Sequence, residues 1–334
     1  MTAQVSIVGA GAVGIVLADA LSRAGVETEL VVRPARAAAL TQRGVWLKWE
    51  ERSVQPVRVA VVTKASAPIV VLTMKTYALP QAVAEHVKVR GADTEVVALQ
   101  NGLTADRVLR EHAPGVVHIG GIVSFTATSL RPGEADVMAT QPKELHLALG
   151  CDDRDVGGTS AFRLLAKALT VAPVRSLEGA RWTKLMINLN NGLFAATKLP
   201  ASRFFAHPYG AFVAARTMRE GLSVAKASGA KLESLPWTSA PLLSLLRIAP
   251  LSLAIVLVRR RAQQFVEAEQ ETYGSTLQSV LKGEPTEIEE LNGALVRLAG
   301  PLQLPVPIND AITRAVKGLC RGEQALTVDA LAAL

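Results

Sequence analysis

The sequence predicts an α/β domain built on a doubly wound parallel sheet, followed by an all-α domain. Three observations carry this expectation. Short apolar runs alternate with helical patterns through the first half, the texture of a parallel sheet wrapped by helices. A glycine-rich turn separates the first apolar run from the first helical pattern. From about Gly179 onward only helical periodicity remains. A chain of 334 residues also suits two domains, because single cores stop growing at roughly 250–300 residues. The boundary is placed near residue 177, giving domains 1–177 and 178–334.

Strands are expected at 4–8, 29–32, 69–73, 95–99 and 116–120, with helices at 12–24, 35–42, 78–88 and 104–111. After Gly120 the segments 122–129, 134–139 and 145–149 read as β structure around the turn Arg131-Pro132-Gly133. A helix at 161–169 and a strand at 172–174 complete the first half. The second half reads as helices at 180–197, 209–228, 242–258, 262–281, 286–299 and 309–319. Breakers such as Pro200, Pro208, Gly229, Pro236, Gly283, Pro285, Gly300 and Pro305 separate most of them.

Apolar residues make up 49% of the chain and charged ones 19%, enough for sizeable cores and too apolar for disorder. The formal net charge is +7, but the basic residues are scattered and the only dense run is Arg259-Arg260-Arg261. With aromatic residues at 4% there is no stacking platform for single-stranded nucleic acid, and no nucleic-acid partner is expected. An anionic cofactor and an anionic substrate would account for part of the excess charge. Cys151 and Cys320 are the two cysteines; they make neither a disulfide framework nor a metal pair, and the histidines lack ligand spacing. No metal is expected. The N-terminus runs directly into a strand, without a basic segment leading an apolar one, so a reducing cytoplasmic setting is expected. The stretch 235–258 is rich in Leu and Pro. Its most apolar part, 241–258, has 18 residues broken by Arg247 and Pro250, short of the about 20 a spanning helix needs. It is expected to pack against the domain core or a second subunit of a homodimer; the flanking arginines leave a membrane-surface contact open.

The glycine turn reads Gly9-Ala10-Gly11-Ala12-Val13-Gly14, a GxGxxG directly after a strand and opening a helix. In such a loop the first glycine allows the turn, the second lets backbone approach a pyrophosphate, and the third lets helix and strand pack closely. The helix N-terminus favours the negative phosphates. With both flanks correct, the motif makes the sheet Rossmann-type and implies a dinucleotide. NAD-binding sheets of this kind usually end the second strand in an acid. Here the strand runs into Arg33, with Arg36 a turn later, and Glu29 lies at the wrong end. An arginine at the tip can grip a 2′-phosphate bidentately, so NADP is the expected cofactor; an ordinary solvated arginine before a helix is the alternative. Lys75 and Asn101 follow the next two expected strands. Each alone is an ordinary turn residue, but both share the carboxyl edge of the sheet where ligands bind.

In the second half, Lys184, Asn188 and Asn191 are spaced i, i+4, i+7 and line one narrow helical stripe. The other faces carry Leu185, Met186, Ile187, Leu189, Leu193 and Phe194, so the helix should be buried. A buried stripe of a lysine and two amides needs partners or a ligand; a solvent-facing polar stripe is the bland alternative. Asn190 points elsewhere. Downstream lie Gly274-Ser275-Thr276 and Pro285-Thr286-Glu287, the latter by local pattern no more than a helix start.

Together these motifs resemble the ketopantoate reductase (2-dehydropantoate 2-reductase) family over essentially the whole chain. The resemblance rests on Gly9–Gly14, Arg33, Met74-Lys75, Gln100-Asn101-Gly102, Trp182-Thr183-Lys184-Leu185 with Asn188, Ser275, and Thr286-Glu287-Ile288 with Asn292-Gly293, in that order. It implies an oxidoreductase that reduces 2-dehydropantoate, a small 2-oxo acid, to (R)-pantoate with NADPH in pantothenate biosynthesis. It implies that Lys184 protonates the ketone oxygen, that Glu287 lies near this lysine and the substrate hydroxyl, and that Asn188 and Ser275 bind substrate. Lys75 and Asn101 would line the space between cofactor and substrate. The helical domain would be similar to that of 6-phosphogluconate dehydrogenase. Three features depart from the family pattern. Gly192 stands where a second asparagine is common, with Asn191 before it; an acidic residue is replaced near Ser279; and 235–258 looks like an insertion or a lengthened helix pair. A related reductase of another 2-oxo acid, and a non-catalytic NADPH-binding regulator, are the rival readings.

Overall fold

In the computed structural model the described residues are 2–50, 52–88, 90–267, 271 and 273–334, without the side chain of Gln264. The chain divides into two compact units, Met1–Leu177 and Glu178–Leu334.

The first unit follows the order β1 (Val5–Val8), α1 (Ala12–Arg23), β2 (Thr28–Val31), α2 (Pro34–Arg43), β3 (Trp46–Trp49), β4 (Gln55–Pro56), β5 (Ala60–Val62), β6 (Ile69–Leu72), α3 (Leu79–His86), β7 (Glu95–Ala98), α4 (Ala105–His112), β8 (Val117–Val123), β9 (Ala127–Thr128), β10 (Glu134–Val137), β11 (His146–Gly150), α5 (Ser160–Ala168) and β12 (Thr170–Pro173). Eight strands form the main sheet in the order β12-β11-β8-β7-β6-β1-β2-β5. All pairs are parallel except β8 with β11. The chain therefore starts in the middle of the sheet and winds both ways, which puts the switch point beside β1.

Burial follows the strand pleat. Val5 and Ile7, Ile69 and Val71, and Val97 face one core, shared with Ile15, Leu17 and Leu165 of α1 and α5. Their alternates Val8, Val70, Leu72, Val96 and Ala98 face a second core with Leu79, Val83 and Leu109 of α3 and α4. A sheet covered on both faces needs such continuous apolar runs. Sequence reading missed β3, β4 and β5. The strands β4-β3-β10-β9 form a second small sheet that packs against α1. β4 and β5 have only two and three residues, and Lys48 interrupts the apolar run of β3; Trp49 is held by a tertiary bond, its indole N–H donating to the buried Asp19 of α1 at 2.9 Å.

The second unit is all-helical: α6 (Leu177–Thr197, its first residue still in the first unit), α7 (Ala201–Ala206), α8 (Gly210–Ala227), α9 (Ala240–Ile248), α10 (Leu251–Val266), α11 (Ser275–Lys282), α12 (Asn292–Ala299), α13 (Pro307–Leu319) and α14 (Val328–Ala332). Two expectations need correction. The helix expected at 242–258 is broken at Ala249-Pro250, where the residue before proline is extended (φ −61°, ψ 154°). The helix expected at 262–281 is two elements, since α10 ends at Val266 and α11 begins at Ser275; of that stretch, 268–270 and 272 lie outside the described residues. The 235–258 segment is only half buried. Leu243, Leu246, Ala254 and Val258 face inward, while Leu242, Leu245, Ile248, Leu253 and Val256 are exposed. No helix among the described residues is long and apolar enough to cross a membrane.

A buried polar network organises the helices. The Asn292 side-chain amide donates to the Leu189 carbonyl of α6 at 3.3 Å and to Asn309 Oδ1 at 2.9 Å. Asn309 in turn donates to the Thr217 carbonyl at 3.1 Å and to Glu220 at 2.7 Å. Glu220 also accepts the backbone N–H groups of Ile308 and Asn309, at 3.1 and 3.0 Å, which satisfies the open N-terminus of α13. Burial nevertheless pushes the Glu220 carboxyl pKa upward, against the pull of those hydrogen bonds.

Candidate functional site

On the α/β unit the expected cofactor residues all follow the carboxyl ends of neighbouring strands. The Gly9–Gly14 loop follows β1, Arg33 follows β2, Lys75 follows β6 and Asn101 follows β7, and these strands are adjacent in the order β7-β6-β1-β2. Gly9 and Gly14 each have a steric reason, and Gly11 has none. Gly9 adopts φ +115°, and a Cβ there would come within 2.9 Å of Thr73 Oγ1. A Cβ on Gly14 would lie 1.9 Å from the Gly9 carbonyl oxygen, so the first turn of α1 can rest on β1 only without a side chain. A Cβ on Gly11 would meet nothing within 4 Å. Gly11 is exposed and is the N-cap of α1, so open space lies directly before a helix N-terminus. Ala10, Ala12 and Val13 are half-buried around it.

Thr73, which sequence reading passed over, donates its hydroxyl to the Val8 and Gly9 carbonyls at 3.0 and 2.9 Å and fixes the loop to the end of β6. Gln100 is a second positioning residue. Its buried amide donates to the Leu72 and Met74 carbonyls at 2.9 and 3.0 Å and thereby holds the Met74-Lys75 turn beside Asn101. The Asn101 carbonyl accepts the Thr76 hydroxyl at 3.4 Å. Lys75 and Asn101 are both half-buried. Arg33 is exposed and caps α2 with Pro34 behind it. Its guanidinium makes no hydrogen bond or ion pair among the described residues. Glu29 is buried and committed elsewhere: it accepts the Ser6 hydroxyl at 2.5 Å, and the Ser66 N–H and hydroxyl at 2.5 and 2.9 Å. It therefore serves the sheet rather than a ribose.

On the helical unit, Lys184, Asn188 and Asn191 lie along one stripe of the continuous helix α6. Leu185, Met186, Leu189 and Leu193 on its other faces have no exposure at all. The Asn191 amide donates to Asn188 Oδ1 at 3.5 Å, while Asn190 turns away toward Met218 Sδ at 3.9 Å. Asn191 also marks where α11 approaches, since a Cβ on Gly274 would come within 2.7 Å of Asn191 Oδ1. Ser275, next in sequence and the first residue of α11, is thus brought beside this stripe. Gly192 has a similar purpose. A Cβ there would sit 2.3 Å from Asn292 Oδ1, so the family's second asparagine gives way here to close packing with α12. Glu287 is buried on a 3-10 turn leading into α12, the helix that Asn292 ties to α6. Lys184 makes no hydrogen bond or ion pair among the described residues, so the expectation that Glu287 holds this lysine in place is not met by an ion pair between them. Part of its side chain reaches the surface, yet burial of the ammonium draws its pKa down to about 8, with no neighbouring charge contributing. An unpaired, desolvated ammonium costs stability and marks a functional group more often than a structural one.

A glycine-loop α/β unit joined to a helical unit with a lysine and amides on its central helix is the build of a dinucleotide-dependent oxidoreductase. The chain belongs to the ketopantoate reductase PanE/ApbA family. It matches that family's description over residues 5–149, and its C-terminal part over 176–319. A relative from Pyrococcus horikoshii, named 2-dehydropantoate 2-reductase, is 24% identical over 94% of this chain and 96% of its own. The crystal structure of a PanE/ApbA family ketopantoate reductase from Ralstonia eutropha superposes with a TM-score of 0.75 at 26% identity, covering 96% of this chain and 99% of that one. D-mandelate dehydrogenase, solved with NADH and anilino(oxo)acetate, has the same fold, with a TM-score of 0.76 at 16% identity over 98% of this chain and 99% of its own.

Proposed function

We propose that the protein reduces 2-dehydropantoate to (R)-pantoate with NADPH, residues 1–177 binding the cofactor and 178–334 the substrate. The observation that carries this is Lys184: unpaired, desolvated and in line with Asn188 and Asn191. The open space at Gly11 before the N-terminus of α1 fits a pyrophosphate, and a nicotinamide held from there supplies a hydride. Arg33, without a partner of its own, is suited to a 2′-phosphate. Addition of hydride to the ketone carbon breaks the C=O π bond and leaves its electron pair on oxygen. Lys184 Nζ donates the proton that completes the alcohol. With its pKa near 8, this ammonium is still largely protonated at neutral pH and gives up its proton more readily than an ordinary lysine. Asn188 and Asn191 orient the substrate oxygens, Ser275 receives the carboxylate, and Lys75 and Asn101 serve the cofactor side. Glu287 is assigned to the substrate hydroxyl.

Loss of NADPH absorbance with 2-dehydropantoate, compared with a panel of other 2-oxo acids, tests the reading. A much higher kcat/KM for 2-dehydropantoate is expected; no turnover of any 2-oxo acid would leave only a nucleotide-binding protein. Gly192 in place of the family's second asparagine favours one second reading, a reductase of a different small 2-oxo acid, and the same panel distinguishes it.

A further inference from the structure

The helical unit carries a surface for which the reductase reading has no use. Between Glu233 and Glu267 the sequence holds no acidic residue and four arginines, Arg247, Arg259, Arg260 and Arg261. This stretch forms α9 and α10. Their inner faces pack on α7 and α8. Their outer faces do not pack: Leu242, Leu245 and Ile248 recur every third residue along α9 and are exposed, Ile248 to 66%, as are Leu253 and Val256 on α10. Burying one such side chain fully is worth roughly 1.5–3 kcal/mol, so a group of five on two consecutive helices marks a docking face rather than ordinary surface. Arg260 lies seven residues after Leu253 and four after Val256, which puts it on the same stripe of α10. Arg259 and Arg261 flank it, and all three arginines are exposed. Arg259 also lines a shallow groove with Tyr209, Phe212, Ile255 and Asp329, where Asp329 is 3.4 Å from His207 Nε2.

We propose that the α9–α10 face docks the protein on an anionic phospholipid surface. The apolar turns enter the acyl boundary, and the arginines that follow them reach the phosphates with their long stems along the interface. Charge selects this occupant. A second copy would set the exposed Arg259, Arg260 and Arg261 of one face against the same three of another, and like charges across an interface are unfavourable; an anionic bilayer supplies the opposite sign. The contact is in-plane, since neither helix is long and apolar enough to cross.

The test is co-sedimentation of the full chain with phosphatidylcholine vesicles, with and without about one-third phosphatidylglycerol, at low and high salt. Binding is expected only to the anionic vesicles and only at low salt. Replacing Arg259, Arg260 and Arg261 together by Gln should weaken partitioning on the order of a hundredfold. Leu245→Ser with Ile248→Ser should weaken it even with the arginines intact. Both variants should keep the melting temperature and NADPH-dependent turnover in solution, so loss of binding cannot be read as unfolding. Absence of binding, equal binding to uncharged vesicles, or a triple variant that partitions like the parent overturns the proposal. So does light scattering that shows a stable dimer which Ile248→Asp splits, because the face would then belong to a second copy.

Discussion

Lys184 offers the sharpest residue-scale test. Its pKa in the folded protein, about 8, lies below the ordinary 10.5 because burial disfavours the charged form. The unfolded chain therefore holds this proton more tightly, and the cost to stability is complete below pH 8 and fades as pH rises toward 10.5. Lys184→Met should melt higher than the parent at pH 7, with the gap closing across that window, while kcat falls by about 10²–10⁴-fold. For the parent enzyme, kcat/KM for ketone reduction should decline as pH rises through about 8, where the proton donor is lost. A profile flat to pH 10 would remove Lys184 from the proton-transfer role. Arg33 provides a second test. Arg33→Asp should lower the preference for NADPH over NADH by about tenfold to a hundredfold, read from kcat/KM with each cofactor. Both residues stood out in the sequence because each is a charge where its local pattern calls for something else.

At the scale of elements, two close approaches decide geometry. The α1–β1 contact depends on Gly14, and the α6–α12 contact on Gly192. Restoring the family's asparagine by Gly192→Asn would force a Cβ to within 2.3 Å of Asn292 Oδ1 and 2.7 Å of Ile312 Cγ2. Overpacking of this kind costs about 1–3 kcal/mol, so the variant should melt lower and gain no activity; a variant at least as stable and faster would show that the site has room for the second amide. The glycine loop was legible because its chemistry is local. The role of Gly192 was not, since its partner Asn292 lies a hundred residues on in the sequence and is placed by the Asn309–Glu220 network. The break between α9 and α10 was written in Pro250 but was outweighed, in a reading by periodicity, by the apolar run around it.

For the whole molecule, the division into two compact units leads to the expectation that NADPH stabilises the α/β unit in particular. NADPH at a hundred times its Kd should stabilise the α/β unit by about 2.7 kcal/mol, which for a unit of this size raises its melting temperature by roughly 5–10 °C. Calorimetry of the full chain should show that shift in the transition of the α/β unit, and Arg33→Asp should cut the stabilisation at the same NADPH concentration to about 0.4–1.4 kcal/mol while leaving that by NADH unreduced. An unshifted thermogram at saturating NADPH would count against the cofactor assignment.

The alternating first half, the helical second half, the glycine loop and the lysine stripe were legible in the residues alone. Each is encoded by residues within one or two turns or strands of one another, so periodicity, glycine placement and i, i+4 spacing are sufficient. The tertiary contacts alone set which strands neighbour β1, that short β3, β4, β9 and β10 form a second sheet on α1, and that Gly274 and Gly192 let α11 and α12 approach the stripe on α6. They also decided that Glu29 is consumed by Ser6 and Ser66, and that Lys184 is desolvated without a partner. Those outcomes depend on which distant surfaces meet, and burial, the force that shifts the lysine, exists only once they have met.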